Sequence, residues 1–168
     1  MTNTEQRLRR LEDRAAISDL VTGYFLAADG DDLASVANSF TDAATFSSSG
    51  TENATGRDGI VEFIRVARGH MGLTVHTPHY VQLVFEGSDA ASGMVGAHLE
   101  LVLGGTALYG AVRYLDRYER TAEGWLIAAR DMRTIFIAPW QTVGQAIESA
   151  TPVRWTGADP ATSDYSRS

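Results

Sequence analysis

Two hydrophobic periods divide the chain. Up to Ala67 apolar residues recur at helical spacing, and from Val75 onward they alternate with period two. Residues 4 to 28 read as helix with an apolar face that moves. Leu8, Leu11 and Ala15 mark one side, while Ile17, Leu20, Val21 and Tyr24 mark nearly the opposite side, at about 100° per residue. Either the helix breaks at Asp13, acting as an N-cap, or one long helix meets two partners and its first half covers a neighbouring subunit. No heptad is sustained, so a coiled coil is not supported. Gly30 suits a helix C-cap because glycine takes a positive φ without steric penalty.

Asp31 or Asp32 can cap the next helix, whose buried stripe is Leu33, Val36, Ala37 and Phe40. Ala43 to Ser49 reads as a short strand, and Ser48 to Gly56 as a polar loop. A third helix starts near Arg57, with Ile60, Phe63, Ile64 and Ala67 as its stripe. Alternation then marks long strands through Val81, Leu83 and Phe85, through Val95 to Leu103, from Ala107 to Arg120, and from Trp125 to Ile137. The turns between them predict an antiparallel meander. Helices first and strands afterwards predict an α+β fold, a curved sheet wrapped around three N-terminal helices as a cone open at one end. Residues 1–140 are read as one domain and 141–168 as a C-terminal extension, loose or packed on a neighbouring subunit.

Composition narrows the function classes. The chain has 168 residues, 44% hydrophobic and 21% charged, enough for one sizeable core. A net charge of −7 argues against a nucleic-acid or anionic-membrane surface. All 14 basic residues are arginine, so no lysine is present to form a Schiff base. Without cysteine there is no thiolate nucleophile or cysteine-ligated zinc. The polar N-terminus lacks a signal core, and no run reaches the roughly 20 apolar residues of a membrane span. These features lead to the expectation of a soluble, cytoplasmic protein.

Several polar residues stand against this background. Asp29 sits at the wrong end of a helix dipole. It is either a solvated member of the acidic turn Asp29-Gly30-Asp31-Asp32 or an aspartate aimed into a pocket. His76-Thr77-Pro78-His79 enters the first long strand, which puts a general-base candidate at the strand mouth. His70 follows a helix end, where a cation is welcome. Strict alternation gives Arg133 the parity of Trp125, Ile127, Ile135 and Ile137, so it needs a ligand or a partner, and Asp131 is the nearest partner. A metal held by His76, His79, His98, Glu100 or Asp29 is not supported by any compact ligand motif. Neither a phosphate loop nor a G-x-S-x-G elbow is present.

These pieces together resemble the SnoaL-like branch of the nuclear-transport-factor-2-like superfamily, whose members resembling this chain include scytalone dehydratase, bile acid 7α-dehydratase and lindane dehydrochlorinase. Arg14 to Leu20 resembles the family's opening helix. Tyr24-Phe25-Leu26-Ala27-Ala28-Asp29 resembles the stretch carrying a catalytic tyrosine and aspartate, and His76-Thr77-Pro78 the segment carrying the catalytic histidine. Tyr114 to Arg120 with Trp125 resembles the hairpin before the last strand, and Arg133 the arginine of the pocket. Glu100 is only an approximate counterpart of a further acid, and the Trp125-to-Arg133 spacing differs by a residue from the bile acid enzyme.

The resemblance implies a cofactor-independent lyase, dehydratase-like, acting on a hydrophobic hydroxylated ring compound. Asp29, His76, Tyr24 and Arg133 would be catalytic, and Phe25, His98, Glu100 and Tyr114 would contact substrate. An isomerase or polyketide cyclase in the same pocket, or a non-catalytic small subunit of a ring-hydroxylating dioxygenase, are the alternatives. A homo-oligomer, trimer or dimer, is expected.

Overall fold

The structure is a computed structural model and describes residues 2–163. Helix α1 (Asn3–Asp29) starts where Thr2 and Glu5 close a reciprocal capping box. It runs unbroken through Asp13. That residue is buried and accepts a hydrogen bond from Trp125 Nε1 at 3.1 Å and another from Arg120 Nη2. Asp13 therefore ties the helix to the sheet rather than capping it. Ile17, Val21, Tyr24, Phe25 and Ala28 form the buried side, whereas Leu8 and Leu11 stay exposed.

The turn after α1 departs from the expected cap. Gly30 keeps a φ of −88°, and the left-handed residue is Asp31, with φ 57°. Aspartate tolerates that region better than most residues, and here its carboxylate is held by Arg68 Nε at 2.6 Å. Helix α2 (Leu33–Asn38) is capped by Asp32, whose carboxylate accepts from Ser35 N at 3.1 Å. Phe40 has left the helix and opens strand β1 (Phe40–Ser48).

The stretch expected to be a loop is a hairpin. Ser49 and Gly50, both at positive φ (53° and 80°), make a two-residue turn into β2 (Thr51–Thr55). β2 is an edge strand with little burial on either side, so it carries no alternation for the sequence to display. Helix α3 (Arg57–Arg68) follows, burying Ile60 and Ile64.

Strands β3 (Met71–Glu86), β4 (Ala90–Leu103), β5 (Thr106–Thr121) and β6 (Gly124–Pro139) form the meander. The sheet order is β2-β1-β6-β5-β4-β3; among the described strands the β1–β6 pair alone is parallel. The fold is α+β, an open, curved six-stranded sheet holding the N-terminal helices. One face, carrying Val95, Leu99, Val112, Tyr114 and Ile127, joins the helices in the core.

Among the irregularities of register, three bulges in β3 and β6 decide which side chains face inward. His79 is the extra residue of β3, because Pro78 pairs with Ala97 and Tyr80 with Gly96. In β6, Ala128 and Ile135 are extra: Ile127 and Ala129 oppose consecutive residues of β5, as do Thr134 and Phe136. Each bulge moves the residues beyond it to the other face. Gly96 is required opposite Tyr80, since a Cβ there would lie 2.3 Å from the ring.

After β6 a 3₁₀ turn (Trp140–Thr142) and a short helix α4 (Val143–Glu148) lead the chain back to the sheet. Val153 O accepts from Ile137 N at 2.9 Å, and Pro152 is buried. The extension thus touches the sheet of its own chain at Pro152 and Val153; Asp164 to Ser168 of the expected tail lie outside the described residues. No described helix is long and apolar enough to cross a membrane.

Candidate active site

A cavity of about 640 Å³ opens between α1, α3 and the inner face of the sheet. Phe46, Phe63, Ile64, Met71, Leu103 and Met132 give it an apolar wall. Tyr24, His76, Tyr114, Thr74, Thr134 and Arg68 are among its polar groups, with His70, Ser48 and Ser49. Such a lining suits a largely apolar ligand oriented by a few polar contacts.

His76 reaches the cavity because β3 alternates undisturbed from Thr74 to Pro78, facing inward opposite Leu101, Leu99 and Ala97. Asp29, at the last turn of α1, meets it from behind. His76 Nδ1 donates to Asp29 Oδ1 at 2.6 Å, and the His76 backbone N–H donates to Oδ2 at 2.7 Å. A carboxylate can only accept, so the pairing fixes a proton on Nδ1, and in the neutral ring it is Nε2 that carries the lone pair. Both side chains are largely shielded from water, at 16% and 19% exposure. Phe25 stacks on the imidazole with centroids 4.9 Å apart and planes 22° from parallel. Asp29 is thus not one of the solvated acids of its turn, and its position at the helix end is explained by the strand it binds.

Tyr24 and Tyr114 both border the cavity. Burial raises the Tyr24 pKa, only partly offset by nearby Arg130, so its phenol is a neutral O–H donor at neutral pH. Tyr114 is raised for the same reason, with Tyr24 adding to it.

Arg133 is not in the cavity. The Ala128 bulge places Arg130, Met132 and Thr134 on the inner face and turns Arg133 outward, opposite Arg113. There Arg133 Nε donates to Asp131 Oδ2 at 2.8 Å, the partner already evident from spacing. His98 and Glu100 also face outward, because β4 presents Ala97, Leu99 and Leu101 to the core. His98 Nδ1 lies 2.9 Å from His79 Nε2, and burial together with that neighbour lowers the His98 pKa. Phe25 is almost wholly buried behind His76 and is not among the cavity-lining residues. Of the four residues expected to contact substrate, Tyr114 is the one that lines the cavity. His70 does line it, contrary to its expected place at a helix end alone.

Sequence reasoning missed Arg130. Its side chain is fully buried and its Nε and Nη2 donate to Asp116 Oδ1 and Oδ2 at 2.9 and 2.7 Å, while Tyr118 O–H donates to Oδ2 at 2.7 Å. Burial opposes the guanidinium charge, but the Asp116 carboxylate overcomes this and raises its pKa. The guanidinium carbon lies 4.2 Å from the Tyr24 ring centre and 4.9 Å from that of Tyr114. It therefore holds a fixed positive charge behind the two phenols. The available signal was Asp116, an acid at an inward position of β5 that demands an inward partner on β6. No group of three or more His, Cys, Asp or Glu among the described residues could hold a metal ion.

Residues 9–131 match the family described as SnoaL-like domain. No curated protein matches the chain. Among solved structures it is similar to LinA, with 26% identity, 79% of this chain and 92% of that one covered, and a TM-score of 0.74. It is similar to a Novosphingobium aromaticivorans protein designated provisionally as an aromatic ring hydroxylase, at 29% identity, covering 77% and 94%, with a TM-score of 0.71. A hexachlorocyclohexane dehydrochlorinase, LinA-type3 from Novosphingobium barchaimii LL02, shares the fold at 24% identity, covering 79% and 93%, with a TM-score of 0.73.

Proposed function

The chain belongs to the SnoaL-like domain family, within the nuclear-transport-factor-2-like fold, and from that membership we propose that it is a lyase using Asp29 and His76 for elimination from a hydrophobic ring compound. The observation that carries the reading is the 2.6 Å contact between His76 Nδ1 and Asp29 Oδ1 at the wall of an apolar cavity. A histidine so held has one task left, at Nε2.

In the proposed step Nε2 takes a proton from the carbon next to the one bearing the leaving group. The C–H electrons become the new double bond as the C–O bond breaks. Tyr24 donates a hydrogen bond to the departing oxygen, and the imidazolium returns its proton to complete water. Arg130 stabilises the negative charge that develops near the phenols. Asp29 stays ionised throughout and balances the imidazolium. A positioned base of this kind contributes about 10²–10⁴-fold. The similarity to a dehydrochlorinase supports elimination as the reaction class, with hydroxide or halide leaving.

The test is product mass across a panel of cyclic alcohols and cyclic halides. Elimination lowers the mass by one water or one hydrogen halide, and His76→Ala should abolish the loss while retaining the fold by circular dichroism. An isomerase or cyclase would leave the mass unchanged. Unchanged turnover in His76→Ala would transfer the chemistry to Asp29 and overturn the dyad. The likeness to a protein designated a ring hydroxylase favours a second reading, a subunit of a larger oxygenase, which requires co-purification with an iron-bearing partner.

We further propose that the outer sheet face, where Tyr80, Val84 and Leu115 are exposed, pairs with another copy of the chain. Light scattering should give a multiple of 18.1 kDa.

A further inference from the structure

We propose that the cavity takes an anionic ring compound, a ring bearing a carboxylate, and that Arg68 binds that carboxylate. The inference rests on reading the cavity as the substrate site but not on the reaction performed there. Arg68 is the last residue of α3 and borders the cavity with only 13% of its side chain exposed. Its Nε is committed to Asp31 Oδ1 at 2.6 Å and its Nη1 to Thr74 Oγ1. These two bonds hold the planar group in one orientation and leave Nη2, whose donors suit a carboxylate.

The charge around it points the same way. Among the described residues lining the cavity, Arg68 is the one permanent charge, and no carboxylate lines it. Asp31, its ion-pair partner, is 63% exposed, so water screens that pairing far more than it screens the cavity side. Among the other polar groups of the lining, the Tyr24 and Tyr114 hydroxyls can donate. In a chain of net charge −7, a cavity lined by an arginine and by no carboxylate is a place where an anion meets a cation first.

The placement also sets a distance. Thr74 and His76 are alternate residues on the inner face of β3, so they stand about 7 Å apart along the strand. An anion held beside Thr74 would therefore be separated from the His76 imidazole by about one substituted six-membered ring. A structural role alone, tying α3 to the turn after α1 and to β3, accounts for the Nε and Nη1 bonds but leaves Nη2 without a task at a residue that lines an apolar cavity.

Calorimetry with 1-naphthoate and 1-naphthamide, matched in shape and differing in charge, tests this. The wild-type protein should bind the naphthoate at least tenfold more tightly, and Arg68→Gln should remove the preference while binding the amide as before. Arg68→Lys, which keeps the charge, should retain part of it. Equal affinity of the wild type for the two probes overturns the proposal even if Arg68→Gln does not fold. So does a preference that survives in Arg68→Gln, or failure of both probes to bind. Elimination activity stands or falls separately, with His76→Ala.

Discussion

At the scale of single residues the Asp29 carboxylate is set apart by having two acceptor oxygens in use. One receives the His76 ring proton and the other the His76 backbone proton. An amide has a single acceptor oxygen. Asp29→Asn must therefore either abandon the backbone donor or turn its NH₂ toward Nδ1, which favours the wrong tautomer. The expected outcome is a folded protein whose turnover falls on the order of 10²–10⁴-fold, by single-turnover kinetics on the substrate found by product mass.

The arginines of β6 differ as sharply. Arg130 and Asp116 form a pair with no solvent exposure, so Asp116→Ala leaves a bare buried cation and should destabilise the fold by about 3–5 kcal/mol. Arg133 and Asp131 are partly exposed, and Arg133→Ala should cost no more than about 1 kcal/mol. Urea denaturation of the two variants gives the comparison; equal losses would contradict the assigned faces.

Among the elements, α2 shows how short segments depend on their ends. Six residues cannot sustain a helix alone, and Val36 is its one fully buried side chain. The Asp32 cap, with bonds from Ser35 N and Ser35 Oγ, therefore carries a large share of the element. Asp32→Ala should lower the denaturation midpoint in the same assay, and Asp32→Asn, which keeps an acceptor at the cap, should restore most of the loss. The strands show the limit of pattern reading. Helix α3 and the long strands were legible because each buries a regular face. The bulges at His79, Ala128 and Ile135 were not, because an inserted residue in a strand leaves composition unchanged while exchanging the faces of everything after it. The Ala128 bulge alone moved Arg133 to the outer face and brought Arg130 to the inner one, behind the phenols of the cavity. For Glu100 and His98 the reason is simpler: β4 alternates regularly and its apolar residues hold the inner face.

Over the whole molecule the buried phenols link stability to pH. Tyr24, Tyr114 and Tyr118 are all raised above the ordinary tyrosine pKa of about 10, chiefly by burial. In the unfolded chain they ionise near 10, and in the folded protein later. Their contribution is therefore fully present below about pH 10 and is lost as pH rises toward the folded values. Denaturation midpoints should be flat from pH 8 to 9.5 and fall steeply above it. Absorbance of tyrosinate should show three of the six tyrosines ionising only as the fold is lost. Free titration of these three in the folded state would contradict their burial.

The sequence by itself determined the α+β architecture and the order of the three N-terminal helices and the four long strands, because periodicity encodes which face of an element is buried. It also displayed Asp131 beside Arg133 as a partner two residues away. Only the tertiary structure decided that Asp29 turns from its acidic loop toward His76, since those residues lie 47 apart in sequence and meet through the packing of α1 on β3. It alone decided which β6 arginine faces inward, through bulges set by pairing with β5. It also placed Arg68, His70 and Trp155 around the cavity, because that wall is closed by segments with no shared pattern.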